Sequence, residues 1–344
     1  PRILVRMILY CFFAVCFFYN IKGGCLNAFY DSASVYKLED TNQRVYVKDV
    51  LESLSAIMPS FKEYRFYFFC ATANIEPDSM NDAFPRKILI QWEDQLGTEP
   101  SVKVMSSFVC VFKTHLRKKS EKYSNLFSYP LGIHYKIKEQ PFVPILDRKY
   151  NVFYSGNLNK NRVPFYEALA RGRWSIKRRL AIPILKLAAR YEYDKKWRNF
   201  SLRLKSLVFK IGATHFDDIF DASYIEFTRS FEAGLTPDKY GTLLANSKII
   251  LSPKGFFNTE CFRFYEALRQ GCIVITEKLP ATAYYHPENY IEVESWDGID
   301  KLIQALLTDD SRMEKLSLKG RIYYQNTLSP MGVAKYIVSK INVY

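Results

Sequence analysis

Residues 252–280 read SPKGFFNTECFRFYEALRQGCIVITEKLP. Lys254 and Gly255 precede three charged residues, Glu260, Arg263 and Glu266, and Gly271 follows them. Read as a helix, the segment sets Cys261, Phe264, Tyr265 and Leu268 on one face. Arg263 and Glu266 are three residues apart and meet on the other side. Asn258 or Thr259 is placed to cap the helix start, and Gly271 to stop its end. A helix N-terminus beside a glycine suits a phosphate, and a planar guanidinium such as Arg263 suits a diphosphate. Lys254 is the second cation for that anion, with the amides near Asn258 and Thr259 as partners. Glu266, and after it Glu260, can accept from ribose or sugar hydroxyls. Spacing alone also fits a plainer reading, in which Glu260, Arg263 and Glu266 form an ion-pair network on the exposed face of an amphipathic helix.

The neighbouring elements must position this helix. IILSP (249–253) precedes it and CIVIT (272–276) follows, so the unit is strand–loop–helix–strand. Its loop and helix start then lie at the C-terminal edge of a parallel sheet, where open α/β folds bind ligands. Upstream, RVYVKDVLESLSAIM (44–58) predicts a helix with Val47, Val50, Leu51, Leu54 and Ile57 on one face. YRFYFFCA (64–71), KILIQW (87–92), VMSSFVCVFKTH (104–115) and LFSYPLGI (126–133) read as strands apolar on both faces. Such strands alternating with helical or loop segments predict a mostly parallel sheet in an α/β fold. Two prolines in QPFVPILDRKYN (140–151) interrupt the pattern and mark a domain boundary or crossover. The second half resumes with the strand NVFYSGNL (151–158) and a helix over NRVPFYEALARG. SYIEFT (223–228) and YIEVES (290–295) are further strands. TPDKYGTLLANSK (236–248) is a helix with Thr236 as N-cap and Pro237 at its first position. SPMGVAKYIVSKI closes the chain as a last helix.

At 344 residues and 48% hydrophobic content the chain is globular and large enough for two domains. We place them at 23–145 and 146–328. A net charge of +14 calls for a partner of opposite sign. Much of the excess falls within 158–210, where ARGRWSIKRRL and YDKKWRNFSLRLK read as helices with apolar residues between the charges. A solvated helix face or an anionic membrane surface fits them. No zinc-finger, RNA-recognition or helix-turn-helix signature supports nucleic acid. Seven cysteines without a Cys-x-x-Cys pair read as buried free thiols, which favours a reducing compartment. Residues 3–21, ILVRMILYCFFAVCFFYNI, follow Arg2 and precede Lys22, and read either as a signal anchor or as a buried first strand. The expected localisation is membrane-associated, anchored N-terminally or peripheral on the cytoplasmic side.

The run FTRSFEAGLTPDKYGTLLANSKIILSPKGFFNTECFRFYEALRQGCIVITEKLP resembles the donor-binding domain of exostosin-like glycosyltransferases. The matching residues are Ser247, Lys248, Pro253, Gly255, Arg263, Glu266, Ala267, Gly271 and Cys272. FKTHLR (112–117), YPLGI (129–133) and VFYSGNLNKNR (152–162) resemble a related bacterial group. The resemblance implies a glycosyltransferase-B architecture, with two Rossmann-like α/β domains facing a cleft. A nucleotide sugar, UDP- or GDP-linked, would bind the C-terminal domain as co-substrate. A glycan or lipid-linked acceptor would be held mainly by the N-terminal one, to which the helix 329–344 would return. The resemblance implies no metal and no further cofactor, and the sequence has no Asp-x-Asp triplet. CIVITEKLP departs from the family in lacking a proline inside the strand. Its Glu277-Lys278 pair is similar to the Thr-Glu-Lys motif of α1,3-fucosyltransferases, so an enzyme using GDP-fucose stays open.

Sugar transfer needs a stabilised leaving group and, with inversion, a base for the acceptor hydroxyl. Asp31, Glu93 and Asp94 fall in N-domain loops and are the candidate bases. His115 and His134 lie near strand ends. Gly156 and Asn157 end a strand at the start of the second domain, where they either approach the sugar nucleotide or form a plain turn. The alternative from another class is a catalytically inactive binding protein of the same fold.

Overall fold

The computed structural model describes residues 20–21, 24–25, 28–34, 41–71, 75–92, 97–116, 123–230 and 233–343. Residues 3–19 of the apolar N-terminal run, and the candidate bases Glu93 and Asp94, lie outside them. No helix among the described residues is long and apolar enough to cross a membrane.

The chain divides into two compact units, one running to Pro130 and resuming at Pro330, the other Leu131–Ser329. The division therefore falls after residue 130, not after 145. Residues 131–149 belong to the second unit because they are bonded into it. The Leu131 amide donates to the Tyr265 hydroxyl at 3.0 Å. Arg148, buried, donates through Nη1 to the Ser247 carbonyl at 2.8 Å and through Nη2 to the Gln270 carbonyl.

In the first unit five parallel strands lie side by side in chain order. They are β1 (Ala28–Tyr30), β2 (Arg65–Cys70), β3 (Lys87–Trp92), β4 (Cys110–Lys113) and β5 (Leu126–Ser128). Helix α1 (Arg44–Ile57) buries Tyr46, Val47, Val50, Leu51 and Leu54, as its apolar spacing requires. The closing helix Pro330–Ile341 packs against it. A short helix, α2 (Val102–Ser107), replaces the first part of the strand expected over 104–115. Ser101 caps it, its hydroxyl accepting from the Val104 amide at 3.3 Å, and this local bond outweighs the strand preference of the two valines.

The second unit contains β6 (Tyr150–Asn157), β7 (Ser223–Thr228), β8 (Ser247–Ser252), β9 (Ile273–Glu277) and β10 (Ile291–Val293). All five are parallel, in the order β10–β9–β8–β6–β7. Between β6 and β7 run α3 (Val163–Gly172), α4 (Ile176–Tyr191) and α5 (Arg198–Lys210). Helix α6 (Pro237–Ala245) links β7 to β8, and α7 (Phe262–Arg269) links β8 to β9. Helices α8 (Ile299–Leu307) and α9 (Asp310–Tyr323) follow β10. Thr236 caps α6 by accepting from the Lys239 amide at 3.4 Å, with Pro237 first in the helix. Val152, Tyr154, Ile225, Phe227, Ile249, Leu251, Ile273 and Ile275 alternate along four strands to one side of the sheet and share a core with Phe165 and Tyr166 of α3. The chain steps from β6 to β7 on one side, then crosses to β8 on the other. That reversal separates the loops after β6 and β8 and opens a crevice at their C-terminal ends.

Candidate ligand site

The loop after β8 and the helix it feeds form one wall of that crevice. Helix α7 begins at Phe262 with Cys261 as N-cap, and the Cys261 side chain makes no capping bond. The cap position is therefore neither Asn258 nor Thr259. Instead Gly255 donates its amide to the Asn258 carbonyl at 2.8 Å, closing a tight turn in which a Cβ would stand 3.3 Å from that oxygen. Two side chains from the turn after β6 hold the loop from outside. Asn161 Nδ2 donates to the Gly255 carbonyl at 3.0 Å, and Arg162 Nε to the Lys254 carbonyl at 3.0 Å. At its far end α7 stops as its glycine predicts: Gly271 takes φ +68° and donates to Leu268 O at 3.0 Å, and Cys272 donates to Ala267 O at 2.9 Å.

Helix α7 has no solvent face. Arg263, Phe264, Tyr265, Glu266, Ala267 and Leu268 are all buried, as is Glu260 just before it. The exposed ion-pair network is thus excluded, and the two carboxylates have parted ways. Glu260 accepts from the Tyr285 hydroxyl at 2.7 Å and from Tyr284 at 3.4 Å, inside a tyrosine cluster that includes Tyr265. Its work is structural. Glu266 instead reaches the crevice.

The crevice holds a cavity of about 460 Å³, lined among others by Gly156, Asn157, Arg162, Tyr240, Arg263 and Glu266. Arg263 is its most telling member. It is only 8% exposed. Its guanidinium lies 4.8 Å from the centroid of the Tyr154 ring and donates through Nη2 to the Ser155 carbonyl. Nε and Nη1 are buried with no hydrogen-bond partner among the described residues, and no ion pair within 4.0 Å joins Arg263 to Glu266 there. Burial is the largest influence on Arg263 and opposes its charge. The combined pull of Tyr240, Cys261, Tyr154 and Glu266 exceeds it, so the group is held more firmly protonated than usual.

Gly156 makes this placement possible. A Cβ there would lie 2.7 Å from Arg263 Nη2 and 3.0 Å from Arg162 Nη1. The glycine leaves room for two guanidinium groups at the end of β6, and a Cβ there would make them shift; no turn conformation demands it. Arg162 donates to the Asn157 carbonyl at 2.8 Å and to its side-chain oxygen, and so joins the ends of β6 and β8. On the opposite side Glu266 accepts from the Tyr240 hydroxyl at 3.1 Å and from the His134 amide at 3.4 Å. Burial raises its pKa above the ordinary carboxylate range, against the pull of Arg263. A raised pKa suits this carboxyl to exchange hydrogen bonds with hydroxyl groups.

Of the sugar-nucleotide residues expected from sequence, Gly156, Asn157, Arg263 and Glu266 line the cavity. Lys254, Gly255, Asn258, Thr259 and Glu260 do not; they build the loop behind it. Glu277 also turns away, accepting from Trp296 Nε1 at 2.6 Å and the Lys254 amide at 3.3 Å. His134 and Lys136 line the cavity from the segment before β6. Arg162 and Tyr240 escaped the sequence reading, because nothing in one dimension brings a turn after β6 and a helix before β8 to α7. Their only signal was position: Arg162 follows closely on the end of β6, and Tyr240 sits in the helix that joins β7 to β8. Asp31, in the first unit, is held as a structural acceptor. Its carboxylate takes bonds from the amides of Ala33 at 3.0 Å, Asp78 at 2.9 Å and Ser79 at 2.7 Å, and from the Ser79 hydroxyl. With both oxygens so engaged it has no free position for an acceptor proton.

No family model matches the chain, and no curated protein matches it in sequence. Solved structures do. Sucrose-phosphate synthase from Thermosynechococcus elongatus is 13% identical, with 90% of this chain and 81% of that one covered at a TM-score of 0.45. The N-terminal domain of Candida albicans trehalose-6-phosphate phosphatase is 12% identical, covering 88% and 76% at 0.45. Anabaena HepE, solved with UDP and glucose, is 10% identical, covering 86% and 81% at 0.44.

Proposed function

We propose that this chain is a glycosyltransferase that moves a sugar from a UDP- or GDP-linked donor to a glycan or lipid-linked acceptor. The observation that supports it is the Arg263 guanidinium, buried beside a cavity with two nitrogens unpartnered. Each such buried donor costs about 1–3 kcal/mol unless a ligand satisfies it. Phosphate oxygens supply acceptors of the right charge and geometry, and the crevice lies where a parallel sheet reverses its winding.

In this reading Arg263, with Arg162 beside it, neutralises the diphosphate as the sugar leaves. The acceptor oxygen forms a bond to the anomeric carbon, and its proton passes to the released diphosphate or to solvent. The bond from that carbon to the phosphate oxygen breaks, and the electron pair departs with the nucleoside diphosphate. Glu266, held by Tyr240, orients ribose or sugar hydroxyls. The charge at the leaving group comes from arginine in this proposal, so no divalent metal is required.

Titration with UDP, GDP and their sugar conjugates, followed by nucleotide release in the presence of acceptors, tests the proposal. Binding with turnover supports it. Binding without turnover on any acceptor would make the chain a binding protein of this fold, and failure of every nucleotide to bind would sink the site assignment itself.

A further inference from the structure

Residues 171–210 of the second unit carry thirteen Lys and Arg but only two acidic residues, a surplus of eleven in a chain of net charge +14. Both acids are used internally. Glu192 pairs with Lys205 at 2.8 Å and accepts from the Lys160 amide at 2.6 Å. Asp194 accepts from the amides of Lys196 at 2.8 Å and Trp197 at 3.3 Å. Arg171, Arg173, Arg178 and Lys186 pair with Glu167, Asp218 or Asp297 outside the segment, which leaves eight of the thirteen cations, Arg179 and Arg190 among them, without an ion pair among the described residues.

Helix α4 is also apolar on the wrong side. Arg178, Ala181, Leu185 and Ala188 are buried, which fixes its inner face. Ile176, Leu180 and Leu187 fall on the opposite face, within about 40° of one another, and are 64%, 59% and 41% exposed. Arg179 and Arg190 flank this stripe and are exposed. Trp174, 67% exposed, stands just before it with the Arg179 guanidinium 3.8 Å from its ring centroid. Trp197, in the connecting turn, and Leu202 and Leu207 of α5 are exposed as well.

We infer that the α4–α5 hairpin docks this protein on an anionic lipid surface. A lipid interface accepts both parts of the pattern at once: aliphatic and indole groups enter the headgroup–acyl boundary while guanidinium and ammonium groups stay among anionic headgroups. Nucleic acid would match the cations but leave the aliphatic stripe in water. A second copy of the chain would bring the same positive surplus against itself. The inference does not depend on the nucleotide-sugar reading.

The chain's four tryptophans make a direct probe, because Trp92 and Trp296 are buried while Trp174 and Trp197 are exposed on this hairpin. The full chain is mixed with phosphatidylcholine vesicles, with or without phosphatidylglycerol, whose acyl chains are brominated. Quenching is expected only when phosphatidylglycerol is present, and it should vanish in a Trp174→Phe, Trp197→Phe double variant whatever residues 3–21 do. Reversing Arg179 and Arg190 to Glu should lower partitioning by about a hundredfold. Leu180→Ser with Leu187→Ser should lower it by about tenfold while circular dichroism stays unchanged. Equal quenching on neutral vesicles, or none on either, would overturn the inference. So would self-association that the leucine variant abolishes, or duplex DNA binding lost on charge reversal but kept in the leucine variant.

Discussion

The two units solve the same problem, a five-stranded parallel sheet, with different windings, and they treat buried charge differently. In the first unit the strands follow one another in chain order, with no reversal among the described ones. Two of its buried charges are satisfied from within. Asp31 takes four hydrogen bonds, and Lys87 Nζ donates to the carbonyls of Ser79 at 2.9 Å, Met80 at 2.9 Å and Asp82 at 2.7 Å. Together they clamp one turn, Asp78–Asp82, onto the sheet. In the second unit the winding reverses between β6 and β8, and Arg263 at that point is buried with two donors unpaired. A charge that is fully bonded holds a fold together. A charge left incomplete at a switch point is, in the proposed function, completed by the sugar nucleotide.

Removing each kind of charge should therefore separate binding from stability. The largest effect is expected for Arg263→Met. Nucleotide affinity, read by calorimetry, should fall by about a hundredfold or more, as for loss of a charged pair to phosphate. Stability to urea should move by less than about 1 kcal/mol, because two unpaired donors leave with the guanidinium. A loss of several kcal/mol with nucleotide affinity intact would show that Arg263 is structural. Asp31→Ala is expected to do the reverse, costing about 2–4 kcal/mol of stability by orphaning the buried amide of Ser79 and the part-buried one of Asp78. Nucleotide affinity should not change; a change would place Asp31 in the binding machinery after all.

Two smaller effects sharpen the second unit. Gly156→Ala should push the Arg263 and Arg162 guanidinium groups off the end of β6 and weaken nucleotide binding by about tenfold, with the fold retained. Unchanged affinity would mean that the close approach is incidental. Glu266→Gln tests the raised carboxyl through pH. A glutamate whose folded pKa lies above its unfolded value of about 4.3 binds more protons in the folded state over that interval. Wild-type stability should thus fall as pH rises from the ordinary glutamate value to the raised one, and the glutamine variant should lack that fall. Glu167 and Asp218, lowered by hydrogen bonds from Lys186 and Arg178 respectively, act with the opposite sign and are common to both proteins. The difference between the two stability curves therefore isolates Glu266.

Much of the fold was legible where a segment's own chemistry agreed with its surroundings. KILIQW and SYIEFT are strands over the residues read from sequence, and Thr236, Pro237 and Gly271 mark helix ends as their types dictate. Reading failed where a local bond competed with a pattern. Val102–Ser107 carries strand-forming valines, yet Ser101 caps it as a helix. Of the cavity lining, Arg263 and Glu266 were named from sequence by their place after a strand and a glycine together with the family resemblance, since spacing alone fitted an exposed ion pair as well. Arg162 and Tyr240 were not, since their roles depend on which strand ends become neighbours.

By itself the sequence determined the α/β alternation, the strand–loop–helix–strand unit around residue 263, and the basic surplus in 171–210. These follow from periodicity, caps and charge, which act between residues close along the chain. Only the tertiary structure decided that α7 is buried on every side and that Glu260 is absorbed by tyrosines while Glu266 faces a cavity. It also decided that Gly156 exists to admit two arginines. Those outcomes come from burial and from contacts between residues far apart in the chain, 108 positions for Arg263 and Ser155 and 132 for Glu266 and His134, and no local pattern encodes them.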